Sequence, residues 1–274
     1  MNIQIKNIFT VILMTITLGA CSSDDSGDKI VEGETGEVGL FFDNGVNGDA
    51  LILGNSYTNS NGEKLTINRF NYIVSNIVLI KADGSEFVYP KQESYFVIAQ
   101  EGSLFNVDLE NVPAGDYTKI KFGIGVDQQQ YMQGETAQQS FWDLAAENNL
   151  TWTWSTGYRF INFEGTFATT ANPETSYNFQ VHQGSNSATD NYREVTLNLP
   201  NTALVRMDMT PSIHLKTDLN VLLDGATKIK LSDNINEAGT AASIMGGENL
   251  ITIAGNSQAM FKVDHVHNGA GHEH

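Results

Sequence analysis

The chain has 274 residues and a formal net charge of −17, with 15 lysines and arginines against 32 aspartates and glutamates. A surface this acidic repels nucleic acid and anionic membrane, because phosphate binding runs on Lys and Arg. With one cysteine, Cys21, the chain has no internal disulfide and no multi-thiolate cluster, so a soft-metal site must come from His and Met.

The chain opens on Met1 to Ala20, where Lys6 supplies a basic start and Ile8 to Leu18 an apolar run. That run is shorter than the roughly 20 residues a membrane helix needs, and it reads as a signal-peptide core. Leu18-Gly19-Ala20-Cys21 resembles a bacterial lipoprotein lipobox, which implies cleavage before Cys21 and its acylation. Ser22 to Asp28 is polar and acidic, too poor in apolar residues to fold alone. It reads as a tether, and it resembles the acidic export signal of some Bacteroidota lipoproteins. The expected organisation is a signal peptide over 1–20, a tether over 21–35, one domain over 36–267 and a His-rich tail over 268–274. The expected location is the outer membrane, lipid-anchored and exposed at the cell surface.

Short alternating apolar runs then recur between turn signals, the pattern of half-buried strands. They include Val38 to Phe42, Leu65 to Ile80, Phe87 to Tyr89, Tyr95 to Ala99, Leu104 to Leu109 and Lys119 to Val126. Asp83-Gly84 reads as a hairpin turn. Gln138 to Asn149 places Phe141, Leu144 and Ala145 at helical spacing and predicts a short helix. Strand patterning returns over Thr151 to Phe167, Ser176 to His182, Arg193 to Leu199, Leu204 to Leu215 and Met260 to His267. Asp218 to Leu223 is a short closing segment, and 226–259 is less regular. The predicted fold is all-β, an antiparallel sandwich with one short helix.

Several residues could carry chemistry. Period-two alternation through Thr151 to Phe160 would put Trp152 and Trp154 on one strand face, as core aromatics or as site residues. His182 precedes Gly184 at a strand end. Asp264-His265-Val266-His267 is an H-x-H pair able to pinch a metal ion if extended. Met207-Asp208-Met209 followed by His214 offers soft ligands for Cu(I), or plain core packing. Asp43 to Asp49 has a calcium-loop flavour but lacks the ligands an EF-hand needs, and it reads as a turn. No G-x-S-x-G, H-E-x-x-H, Walker A or G-x-G-x-x-G signature is present, and no enzymatic activity is expected.

Trp152-Thr153-Trp154-Ser155-Thr156-Gly157-Tyr158-Arg159-Phe160, with Glu164-Gly165 and His182-Gln183-Gly184 downstream, resembles the MbnP family of copper-binding proteins. Arg69 to Leu79 with Asp83-Gly84, and Val195 to Leu223, also look like that family. The resemblance covers roughly residues 36 to 225. It implies an exported β-sandwich that holds copper through histidines, with His182 matching the family's H-x-G histidine. It further implies a tryptophan, Trp152 or Trp154, oxidised to kynurenine by a dihaem partner enzyme of the MbnH type. Leu150 departs from the methionine that many relatives have before W-x-W, and the cysteines some carry after H-x-G are missing. On chemical grounds His265, His267 and His214 join His182 as metal ligands, with Cu(I) favoured.

The function these features point to is copper acquisition, storage or delivery by a non-enzymatic envelope lipoprotein. The alternative is a surface adhesion or glycan-binding sandwich that stacks sugars on Tyr158, Trp152 and Trp154. A redox enzyme using kynurenine and copper together carries less weight.

Overall fold

A computed structural model describes residues 29–269 apart from Thr153, Trp154 and Thr156. The signal peptide, Cys21, most of the tether, Trp154, His272 and His274 therefore lie outside the described residues. Among those described, no helix is long and apolar enough to cross a membrane.

β4 (Lys64–Lys81) organises the larger sheet. Its first half pairs with β9 (Ile161–Ala168), and its second half with β8 (Gly115–Ile124). Between them the chain is kinked at Asn76, which has φ 51° and sits where the β8 register shifts. β9 pairs onward with β10 (Tyr177–Gln183) and then β13 (Ala241–Ile244), while β8 pairs with β11 (Arg193–Val205). Three short strands, β3 (Ser56–Thr58), β5 (Glu86–Val88) and β6 (Tyr95–Ala99), also pair with β4. The predicted hairpin at Asp83-Gly84 is present, with Gly84 at φ 85° between β4 and β5.

The smaller sheet runs β14 (Phe261–Asn268), β12 (Pro211–Asp218), β1 (Thr35–Val46), β2 (Asp49–Ala50), and β7 (Asn106–Pro113) also pairs with β1. β1–β12 and β10–β13 are parallel pairings, so both sheets are mixed rather than purely antiparallel. Among the described residues there are four α-helices rather than one: α1 (Gln128–Tyr131), α2 (Gln139–Glu147), α3 (Val221–Asp224) and α4 (Gly247–Ser257). α2 is the helix the sequence predicts. α4 is not announced by its sequence, because its small residues blur any periodicity.

Inward-facing aromatics fill the space between the sheets. Phe261, Tyr72, Phe70, Phe163 and Phe179 form a continuous run of ring contacts at centroid distances of 4.9 to 6.1 Å. A second, smaller apolar cluster lies on the outer face of the larger sheet. There Ile73, Val97 and Val126 meet Ala145 of α2 and Leu150, Tyr158 and Phe160 of the following loop.

The structure corrects the reading of Thr151 to Phe167 as one strand. β9 starts only at Ile161, and residues 150–160 fold back on themselves, with Thr151 bridged to Tyr158. Gly157, at φ 135°, allows the reversal. Trp152 is therefore not on a strand face. Likewise Met207 is 73% exposed in the turn between β11 and β12, closed by reciprocal Arg206–Met209 backbone bonds, and is not core.

The outer layer docks on one close approach. Gly125 has φ 98°, and a Cβ there would lie 2.2 Å from the Phe160 ring. Gly125→Ala is expected to cost about 2–4 kcal/mol from backbone strain plus overpacking. Urea unfolding checks this, and an unchanged midpoint would contradict the packing described.

Candidate metal centre

Alternation along β9 and β10 turns Phe163, Phe167, Phe179 and Val181 into the sandwich. It turns Asn162, Glu164 and His182 outward. His182 is opposite Asn162, and Gln180 is opposite Glu164, so His182 and Glu164 are diagonal neighbours on adjacent strands. Arg69 of β4 pairs in register with Glu164 from the other side.

These positions link into a chain. His182 Nε2 lies 2.7 Å from Glu164 Oε1, and an Arg69 terminal nitrogen donates to Glu164 Oε2 at 2.9 Å. Arg69 Nε donates in turn to Glu101 Oε1 at 2.5 Å.

The cover over His182 is also built by strand polar groups. The side-chain amides of Asn71 and Asn162 donate to the carbonyls of Asn148 and Asn149 just beyond α2, at 2.9 and 3.0 Å. This ties the residues that follow the helix to the strands beneath them. Leu150 then buries, and Trp152 N–H donates to the Gly157 carbonyl at 3.1 Å. The indole meets the His182 ring edge-on at 5.7 Å between centroids. The Arg159 guanidinium lies 5.0 Å from the indole, in a cation–π contact. Gly184 gives the H-x-G pattern its physical content. A Cβ there would lie 2.5 Å from the Tyr158 carbonyl oxygen and 3.2 Å from the indole.

His182 is 2% exposed. Burial pushes its pKa down; the Glu164 hydrogen bond opposes this and Arg159 reinforces it, so the ring is neutral near pH 7. Glu164 is held below the usual carboxylate range by the His182 hydrogen bond, against burial, with further help from Arg69 and Arg159. A neutral imidazole beside an ionised carboxylate donates from Nε2. The lone pair is then on Nδ1, which is buried with no hydrogen-bond partner among the described residues. Such an orphan costs about 1–3 kcal/mol. It fits a metal ion, since a ligating imidazole commonly has its other nitrogen bonded to a carboxylate.

Beside the indole is a cavity of about 250 Å³, lined by Trp152, Tyr131, Gly184, Met245 and Leu250 among others. Met245, just beyond β13, is one of the residues that line it.

The structure does not gather the four predicted histidines at one point. His182 lies in the larger sheet, whereas His214 of β12 and His265 and His267 of β14 lie in the smaller one. Among the described residues no group of three or more His, Cys, Asp or Glu side chains is placed to hold an ion. Tyr158, offered as a sugar platform, is 2% exposed and cannot serve as one.

Sequence reasoning did not assign roles to Glu164, Arg69, Glu101, Arg159 or Met245. Alternation alone puts Glu164 and His182 outward, but their contact needs the β9–β10 register.

The MbnP family model matches residues 35–245, a segment that holds Arg69, Trp152, Glu164 and His182. The chain belongs to the MbnP family. Among solved structures, MbnP from Methylosinus trichosporium is similar at 15% identity, over 71% of this chain and 80% of that one, with a TM-score of 0.48. A search of curated proteins finds no match.

The neutral, buried His182 has a pH signature. An unfolded histidine titrates near pH 6.5, and the folded one lower, so the unfolded chain takes up the proton first. Folding stability therefore falls as pH drops below about 6.5. Glu164, whose folded pKa is depressed, adds a further loss below about pH 4.3. His182→Gln is expected to flatten the fall between pH 7 and 5 in urea unfolding. An unchanged slope would mean that His182 is not neutral in the fold.

Proposed function

We propose that this MbnP family member is a copper-binding lipoprotein of the cell envelope that holds Cu(I) at His182. The observation that carries the reading is the buried, unpartnered Nδ1 of an imidazole whose other nitrogen is tied to Glu164. Cu(I) accepts low coordination and imidazole ligands, which suits a centre built on one histidine.

Trp152 is the tryptophan we assign to oxidation, because its indole contacts His182. Conversion to kynurenine by a dihaem enzyme of the MbnH type would place a carbonyl and an aniline nitrogen beside the His182 ring. The cavity gives this indole a path to solvent. The lipobox at Cys21 and the acidic tether support anchoring in the outer membrane at the cell surface. Copper acquisition, storage or delivery is then the role, with no catalytic step assigned to the chain itself.

A Cu(I) competition titration tests the site. The chain is expected to bind one equivalent tightly, His182→Ala to abolish that binding, and Glu164→Ala to weaken it about ten- to a hundredfold. Binding indifferent to His182 would refute the assignment. Peptide mass spectrometry after co-expression with a dihaem partner should find kynurenine at position 152. Kynurenine only at Trp154 would move the oxidised residue.

A further inference from the structure

We propose a second metal site, independent of His182, on the outer face of the smaller sheet, where His214 and His265 form a cross-strand pair for a borderline divalent ion. In β1 and β12 the residues Leu40, Phe42, Ile213 and Leu215 point into the core, so Phe41 and His214 point outward. His214 and His265 are register partners on β12 and β14, and their rings stack at 4.1 Å with 23° between planes. His214 is 8% exposed, packed between His265 and the Phe41 ring, which lies 5.3 Å away. One imidazole is thus oriented by packing before any ion arrives, while the second is open to solvent.

A bulge supplies the rest. The register of β14 slips between His265 and Val263, which makes Asp264 the extra residue. Its carboxylate lies 3.0 Å from His265 Nδ1. That contact selects the tautomer with the lone pair on Nε2, as a carboxylate behind a ligating histidine does. Lys216 lies 3.7 Å from the same carboxylate, on its other oxygen, and balances its charge. His267, two residues along the strand and opposite Ser212, adds a third imidazole on the same face. The three are not pre-gathered around one point, so the ion binds to the stacked pair with His267 or water completing its shell.

The donor set decides the ion. One buried and one exposed imidazole with water suit Cu(II), Ni(II) and Zn(II), with affinity in the Irving–Williams order. β14 also lies beyond the matched family segment, which ends at residue 245. His265 and His267 therefore lie outside the matched segment, while His214 lies within it.

The test uses Ni(II), followed by calorimetry and by paramagnetic broadening of histidine ring protons in the full chain. One equivalent should bind and broaden His214 and His265, and His182→Ala should bind as well as the parent. His265→Phe keeps a stacked ring but removes the donor nitrogens, and should weaken binding by about tenfold or more. His272→Ala with His274→Ala should leave it unchanged. Absence of binding, indifference to His265→Phe, or loss on removing His272 and His274 would overturn the proposal.

Discussion

The hydrogen bond between His182 and Glu164 exists because the outer face of the larger sheet is covered rather than wet. In an ordinary sandwich those positions would meet water, which would satisfy both groups at no structural cost. Here the residues just beyond α2, together with Trp152, lie against them. Every polar group beneath must then find a partner or remain a liability. Asn71 and Asn162 find theirs in the carbonyls beyond α2, and Glu164 accepts from both Arg69 and His182. Among the described residues His182 Nδ1 has no hydrogen-bond partner, as is also true of Asn71 Oδ1, Asn162 Oδ1 and Gln183 Oε1, and of these atoms it alone is an imidazole lone pair.

The cover and the site depend on each other through backbone as well as side chains. Phe160 N–H bonds the Gln183 carbonyl, and Ile73 N–H bonds the Phe160 carbonyl, so the loop end is threaded between β4 and β10. Gly184 and Gly125 leave the room that Trp152 and Phe160 occupy. An indole held this way presents its edge to His182 and part of its surface to a cavity.

Much of this was legible in the sequence, for identifiable reasons. Strands with alternating burial, such as β1, β7 and β14, announce themselves because one face meets the core and the other water. β4 reads as a strand as well, although its middle is buried on both faces. The segment 151–160 misleads because aromatic, β-branched residues favour strands, while Gly157 reverses the chain. The parallel pairings of β1 with β12 and β10 with β13 are invisible locally, since their partners are far apart in sequence. Glu164 was in plain view, but its role comes from a diagonal contact across two strands. The four histidines looked like one ligand set because sequence does not say which sheet a strand joins. The fold divides them between the two sheets, His182 in the larger and His214, His265 and His267 in the smaller.

The central claim is that Glu164 holds His182 in the Nε2–H tautomer and so presents a bare Nδ1. Long-range ¹H–¹⁵N correlation spectra of the imidazoles at neutral pH measure this directly. The account predicts a protonated Nε2 and an unprotonated Nδ1 for His182, with the Nδ1 resonance moving when Cu(I) is added. An Nδ1–H tautomer, or a copper-induced shift at Nε2 instead, would contradict it.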